Sequence, residues 1–219
     1  MNLQKIQESL SKPRFERYLV ACGNDSRKAL GLYRLNLKLA KEFHPFVGTF
    51  EVILRNRLDL EIAKGLGDVN WTVKCQNKLP QFMKAEVVKA ENRLKKRGGL
   101  VTHSKLVSDQ NLGFWTESFE KHSFGMLKGS PIYCFRLRPK GVNRDTLSLK
   151  LNAVRRFRNR INHNDPICFQ GSKIDFSDAK STYRHLCELI DWIDPNARVL
   201  LKGVDGVEKL LNRILMKYP

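Results

Sequence analysis

Five apolar residues, Leu147, Leu151, Val154, Phe157 and Ile161, recur at intervals of four, three, three and four positions. At 100° per residue they share one stripe of an α-helix, and a strand would scatter them over both its faces. The pattern therefore commits residues 147–161 to a helix that packs by this stripe. The same helical wheel holds an anomaly. Arg158 falls within the stripe, while Arg155, Asn159 and Asn162 lie along one flank. A guanidinium on a packing face must be paired or line a cleft, because an unpaired buried charge is very costly.

Helical spacing recurs along most of the chain. Residues 2–10 read as a short helix, followed by Ser11-Lys12-Pro13 as cap and first turn of a second, with Phe15, Tyr18 and Leu19 on one face and a stop near Gly23. Asn24-Asp25-Ser26 offers new caps before Leu30, Tyr33, Leu37 and Ala40. Pro45 interrupts that pattern, so a new helix is expected there, carrying Phe46, Phe50, Ile53, Leu54 and Leu60 to about Lys64, with Gly65 and Gly67 ending it. Within it, Glu51 and Arg55, and Arg57 and Glu61, are spaced to lie side by side. Trp71 falls in a turn region, and a helix over 79–96 is closed by Gly98-Gly99.

From 100 to 141 the periodicity weakens. A short helix over 113–119 and a short strand or aromatic loop at 131–135 are expected there, with Trp115, Phe119, Phe124, Tyr133 and Phe135 as core or dimer-interface aromatics. Ser177-Asp178 reads as the cap of a further helix with Tyr183, Leu186, Cys187, Ile190 and Ile193 on one face, ended before Pro195. A last helical stretch covers 199–216. The expectation is one all-α domain over 1–219, a bundle of roughly seven or eight helices with an irregular middle segment.

Charge narrows the partners. The chain has 40 Lys and Arg against 22 Asp and Glu, a net charge of +18. An excess of this size speaks about partners and solubility, not fold, and nucleic acid is its first reading. A basic membrane-surface or DNA-binding protein is the weaker alternative, because neither a basic amphipathic helix with bulky anchors nor a helix-turn-helix is recognisable. The five cysteines are widely spaced and never paired as CxxC, which points to free thiols in a reducing compartment. With no apolar run near the ~20 residues of a membrane span and no apolar leader at 1–11, a cytoplasmic protein with no membrane partner is expected.

Residues 136–160 hold nine basic side chains and one acid, Asp145. The densest part, 155–164, packs four arginines, three asparagines and His163 into ten positions, with Asp165-Pro166 marking the helix end. Arginine offers a phosphate a fork of donors, and histidine is the side chain whose unperturbed pKa suits proton transfer near neutrality. Arg155, Arg156, Arg160, Lys150 and Arg144 are candidate RNA-binding groups, which would set affinity and register without reading sequence. Arg158, which falls on the packing face, and His163, at the helix end, are the two residues here suited to phosphate chemistry, although a lone histidine at a helix C-terminus also serves as a dipole-stabilising or surface residue. On an ideal helix His163 projects about 140° from Arg158. An unwinding last turn before Pro166 is expected to let it swing back.

Two blocks carry a family resemblance. Arg158-Asn159-Arg160-Ile161-Asn162-His163 resembles the R-N-x-x-x-H form of the R-x4-6-H motif of HEPN-superfamily ribonucleases. With its surroundings, Phe157 to Ile167, it looks like the second signature of the Abi-like (AbiD/AbiF-type) abortive-infection proteins. Glu51-Val52-Ile53-Leu54-Arg55-Asn56 matches their first, an E-[aliphatic]-x-L-R-N block. The resemblance is local to these blocks. It implies an anti-phage or toxin-type endoribonuclease that uses neither metal nor other cofactor and forms a homodimer bringing two motifs into one cleft. It also implies Arg158, Asn159 and His163 as catalytic residues, with Glu51, Arg55 and Asn162 in support: the ribose 2′-OH would attack the adjacent phosphate, with His163 as general base or acid, Arg158 on the phosphorane charge and Asn159 orienting the phosphate or His163. An antitoxin or noncoding RNA is a further partner the resemblance suggests. The alternative is a non-catalytic RNA-binding protein that holds a structured or noncoding RNA with the same arginines.

Glu51, on a helix of the same core, is the expected partner of Arg158. If they are paired, Glu51→Gln and Arg158→Gln each destabilise the fold in urea, and the double variant loses less than the sum by about 1–3 kcal/mol. Strictly additive losses exclude the pair.

Overall fold

The computed structural model describes residues 3–218. The chain is all-α, and among the described residues it forms eleven α-helices, three 3-10 helices and one minimal hairpin. In order these are α1 (Leu3–Leu10), α2 (Lys12–Ala21), α3 (Ser26–Leu66), α4 (Trp71–Lys74), α5 (Gln81–Lys96), α6 (His103–Ser108), α7 (Leu112–Glu117), α8 (Lys121–Met126), α9 (Arg144–Asn162), α10 (Ser177–Ile193) and α11 (Val207–Leu215). The 3-10 helices cover Gln76–Lys78, Ser130–Cys134 and Pro195–Leu201. Strands β1 (Phe169–Gln170) and β2 (Lys173–Ile174) pair antiparallel between α9 and α10. Residue 2, assigned to the first helix from sequence, lies outside the described residues. None of the described helices is long and apolar enough to cross a membrane.

Proline does not break α3. Pro45 sits inside a continuous helix of 41 residues where the sequence pattern called for a new start. An interior proline removes one backbone hydrogen bond and costs about 3 kcal/mol. Here His44 and Pro45 face solvent, so water can satisfy the carbonyl that loses its donor. Phe43, Phe46 and Phe50 on the opposite side are fully buried, each contributing about 1.5–3 kcal/mol. Burial wins.

The helical phase before Pro45 also differs from the sequence reading. The buried residues are Ala29, Leu32, Asn36, Leu39 and Phe43, whereas Leu37 is 41% exposed. Asn36 hides the stripe by placing a polar residue at its centre. Its Oδ1 accepts a hydrogen bond from the Ile167 backbone N–H at 2.7 Å, which satisfies both groups in the core. Caps moved too. Ser11 has a positive φ and makes no side-chain cap, while Asp25 accepts from the backbone of Arg27 and Lys28. Before α10 it is Asp175, not Ser177 or Asp178, whose carboxylate accepts the Ser177 N–H.

Contacts divide the chain into two compact units, to both of which α3, α9 and α10 contribute. The first comprises Met1–Phe46, Phe157–Arg184 and Lys202–Pro219. Its core joins α2, α3, the start of the hairpin and the end of α9. Tyr18 meets Phe169 edge-on at 5.1 Å, Phe43 meets Phe157 at 4.7 Å, and Phe46 meets Tyr183 at 5.3 Å. Burial raises the Tyr18 hydroxyl pKa and pushes the Cys168 thiol up to about 12, so this thiol is a packing group and no nucleophile.

The second unit comprises Val47–Arg156 and His185–Leu201. The region 100–141 belongs to it and is the irregular middle of the chain, three six-residue helices and a 3-10 turn joined by turns and non-helical stretches. Helices α6 and α7 are six residues each, capped by Thr102 and Asn111, and they bury Leu106, Val107, Leu112, Phe114 and Trp115. The short strand or aromatic loop expected at 131–135 is a 3-10 turn over Ser130–Cys134 with Pro131 near its start, not a strand. Trp115, Phe119 and Phe135 are core residues, Phe124 is half-buried, and Tyr133 is 59% exposed. Trp71, placed in a turn by sequence, begins α4 and is fully buried against Phe114 and Trp115. Asp59 Oδ1 accepts from Trp71 Nε1 at 2.7 Å and contacts His103 Nε2 at 3.1 Å. His103 Nδ1 in turn lies 2.7 Å from the Thr72 hydroxyl, tying α3, α4 and α6 together.

Glu61 is engaged by Lys64 and Arg136, both at 2.9 Å, and not by Arg57, whose Nε is buried without a hydrogen bond. Burial pushes the Glu61 carboxyl up, but hydrogen bonds from these two cations outweigh it and leave the pKa lowered. The last helical stretch is also divided: the 3-10 helix over Pro195–Leu201 precedes α11, with Gly203 at positive φ between them.

Two glycines of α3 separate space from propensity. A Cβ at Gly65 would lie 2.5 Å from Ser130 Oγ and 3.2 Å from the Leu127 carbonyl oxygen, whereas one at Gly48 meets nothing within 4 Å. Gly65→Ala is therefore expected to destabilise by about 1–3 kcal/mol through overpacking, and Gly48→Ala to stabilise by about 0.5–1 kcal/mol. Urea unfolding of the two variants reads both signs.

Candidate active site at the end of helix α9

The apolar stripe of α9 packs as its spacing requires: Leu147, Leu151, Val154, Phe157 and Ile161 are all buried. On the same helix Arg158 is half-buried, and Arg156, Asn159 and Asn162 are exposed. Arg158 Nη1 donates to Asn159 Oδ1 at 3.4 Å, a long contact that brings two of the three candidate catalytic side chains together. Glu51 and Arg55 are half-buried on the part of α3 that belongs to the second unit, where Arg55 Nε donates to Asn56 Oδ1 at 3.2 Å.

The last turn of α9 is closed, not unwound. The His163 N–H still bonds the Asn159 carbonyl at 3.0 Å, as in an intact helix. The reversal comes one residue later. Asn164 has φ +55°, its N–H bonds the Ile161 carbonyl at 3.0 Å, and the Asp165 N–H reaches back to the Arg160 carbonyl at 2.7 Å. This pair of bonds is a Schellman cap with asparagine in the left-handed position and His163 as C-cap residue. His163 is exposed and its backbone keeps the helical hydrogen bond, so the unwinding expected from sequence does not occur before it. The two residues project about 140° apart around the axis of α9. The cap satisfies the last carbonyls within the chain, which removes the reason to unwind.

The segment after the cap is fixed from several sides. Arg160 Nη1 pairs with Asp178 Oδ2 at 3.2 Å, and its Nη2 donates to the Pro166 carbonyl. Asp165 lies 3.8 Å from Arg14, and the Ile167 N–H is held by Asn36. Arg17 donates to the Gly171 carbonyl at 2.7 Å and stacks over Phe169 at 4.6 Å. Arg14, Arg17, Asn36 and Asp178 were missed from sequence. Only Asn36, a polar residue at an apolar spacing, carried a local signal.

The arginine-rich stretch thus divides into committed and available cations. Arg144 donates to the Phe119 carbonyl at 2.7 Å and pairs with Asp145. Lys150, 16% exposed, pairs with Glu188 at 2.6 Å and sits over Trp192. Together with Arg160 these groups are held by intramolecular partners and are poorly placed to meet RNA. Arg155 makes one neutral hydrogen bond, from Nε to Asn152 Oδ1 at 3.2 Å, and Arg156 is exposed. Of the sequence-assigned RNA-binding groups, Arg155 and Arg156 retain charge for a phosphate. A half-buried guanidinium, an exposed amide and an exposed imidazole at one helix end can stabilise a phosphate charge, orient an oxygen and transfer a proton.

No protein-family model matches the chain, and no curated protein or solved structure matches it either.

The cap rests on a conformation that costs most residues about 1–2 kcal/mol and glycine nothing. Asn164→Ala is expected to lose about 1 kcal/mol in thermal or urea unfolding, and Asn164→Gly to remain within a few tenths of wild type. Equal losses in both variants point to the side chain instead of the backbone.

Proposed function

We propose that this chain is a metal-independent endoribonuclease of the HEPN, Abi-like kind, acting on RNA in a toxin or abortive-infection role. The observation that carries the reading is the Arg158-Asn159-x-x-x-His163 segment at the capped end of α9, with the arginine half-buried and the histidine exposed. The net charge of +18 supports RNA as substrate.

In this mechanism the ribose 2′-OH attacks its own 3′-phosphate, yielding a 2′,3′-cyclic phosphate and a 5′-OH end. One histidine removes the hydroxyl proton or returns a proton to the leaving oxygen, each typically worth 10²–10⁴-fold. Arg158 meets the charge that grows on the phosphorane oxygens, and Asn159, already hydrogen-bonded to it, orients the guanidinium. Because Arg158 and His163 of one α9 project to different sides, the complete constellation is assembled from two copies of the chain, each supplying half. Arg155 and Arg156 position the strand by its phosphates. The same charge also supports a second reading, a homodimer that holds a structured or noncoding RNA without cutting it.

The nuclease reading predicts cleavage of single-stranded RNA in EDTA, blocked by a 2′-deoxy substitution at the cut site. His163→Ala and Arg158→Ala are each expected to lower the rate at least 100-fold while circular dichroism and size-exclusion mass remain those of wild type. Full activity in both variants overturns the site. RNA binding without cleavage supports the second reading.

A further inference from the structure

Six cations and no carboxylate line one groove of the first unit. The groove, about 790 Å³, is walled by the first half of α3 and by α11 with the residues that follow it. Arg27, Lys28, Arg34 and Lys38 come from α3, and Arg213 and Lys217 from the other wall. Lys28 has a carboxylate in reach, Asp25 at 3.8 Å; the other five make no ion pair among the described residues. Arg213 Nε donates to the Lys209 carbonyl at 3.4 Å. Between the walls the lining is aliphatic, with Leu35, Leu210 and the buried Ile214.

Three features here oppose stability, and each has a different cause. Like charges gathered in one concavity repel each other. Arg27 and Lys28 stand in the first turn of α3, at the end of the helix dipole that disfavours cations. Gly31 lies inside a helix, where alanine is the more stable residue, yet a Cβ there would meet nothing within 4 Å. No neighbouring side chain requires the glycine. It leaves the floor of the groove open to bare backbone. A polyanion in the groove relieves the repulsion and uses the space.

We propose that this groove binds single-stranded RNA through its phosphodiester backbone, as a second RNA contact separate from the Arg158-to-His163 segment. Arg27, Arg34 and Lys38 follow one another along α3 at about 10 and 6 Å of axial rise, a rail of cations for successive phosphates. The guanidinium forks of Arg27 and Arg34 suit phosphate oxygens, and Lys38 adds the point charge of an ammonium group. Tyr218 at the groove wall is half-buried, with the Phe176 ring 5.9 Å away and Lys217 Nζ over the Tyr218 ring at 5.5 Å. A duplex hides its bases and cannot use the aliphatic floor, whereas an unstacked base can. The excess of positive charge lies in residues 1–100, with 20 Lys and Arg against 10 Asp and Glu, and in residues 136–160; a surplus shared by so much of the chain suits a long polyanion better than a short acidic peptide. The proposal rests on the RNA reading above for the identity of the polyanion alone.

The test is fluorescence anisotropy of the full chain with a 2′-O-methyl oligouridine, which cannot be cleaved by 2′-OH attack, across a salt series. Arg34→Gln/Lys38→Gln is expected to weaken binding about tenfold and to lower the log–log salt slope by about 1.4, at 0.7 per phosphate contact. Gly31→Trp fills the groove without changing charge and is expected to weaken binding to a similar degree, while Gly31→Ala retains it. Hydrogen exchange on the wild-type chain provides a readout that needs no variant: RNA should protect 26–38 and 207–215. If wild type binds the oligonucleotide and neither the variants nor the exchange pattern respond, the groove is not an RNA site and the RNA reading stands. If wild type binds no RNA at all, both fall together. Variants that abolish binding of polyglutamate while leaving RNA binding intact overturn the proposal in favour of an acidic protein segment.

Discussion

The hydrogen bond from the Ile167 backbone to the Asn36 side chain decides where the chain goes after α9 ends. Both groups are in the core, so an unpaired amide there would cost about 1–3 kcal/mol, and the apolar run Ile167, Cys168 and Phe169 follows it into the interior. That descent places Phe169 against Tyr18 and Arg17, and brings the chain through the hairpin turn at Gly171 to the start of α10. On α10 stands Asp178, which returns to Arg160. The candidate site is the exposed corner of this loop. The course of the chain around it follows from a buried amide on another helix and the ion pairs nearby.

The parts legible in the sequence were those where one local rule met no opposition. The five apolar residues of α9 recur at threes and fours and fix its packing face even with Arg158 on the same side, and α10 ends where Pro195 requires. Elsewhere a tertiary effect reversed a local one. Pro45 was read as a break because its sequence neighbours do not reveal that its own side faces water. The phase of α3 was misread because Asn36 occupies a core position, and its satisfaction depends on a backbone group more than a hundred residues away. Helices α6 and α7 are too short for a period to show, and their evidence lies in caps and in the burial of a few large side chains.

The site followed the same division. The order Arg158, Asn159, His163 and its place at a helix end could be read from spacing and from Pro166. Which arginines remain available to a ligand could not, because Glu188 and Asp178, the carboxylates that occupy Lys150 and Arg160, come from a helix that begins after the motif ends. The uncommitted charge in the first unit lies instead on α3 and beside α11, at intervals that appear in the sequence as ordinary solvated helix faces. Charge density along a chain is thus a poor guide to the field around it, since near neighbours in space cancel or reinforce one another irrespective of sequence distance.

The closed turn at the end of α9 has a consequence for how such a motif is written. Asn164 supplies the left-handed residue that lets two backbone amides return to the helix, and this holds His163 on the last turn. Glycine fits that backbone, asparagine tolerates it, and a β-branched residue would be strained there. The pattern that builds this helix end therefore has a further letter: an arginine, an asparagine, three spacers, a histidine, and then a residue from the short set at ease in the left-handed region. A chain with the first six positions but valine or isoleucine in the seventh carries the same chemistry in its alphabet and would present its histidine on a differently shaped corner.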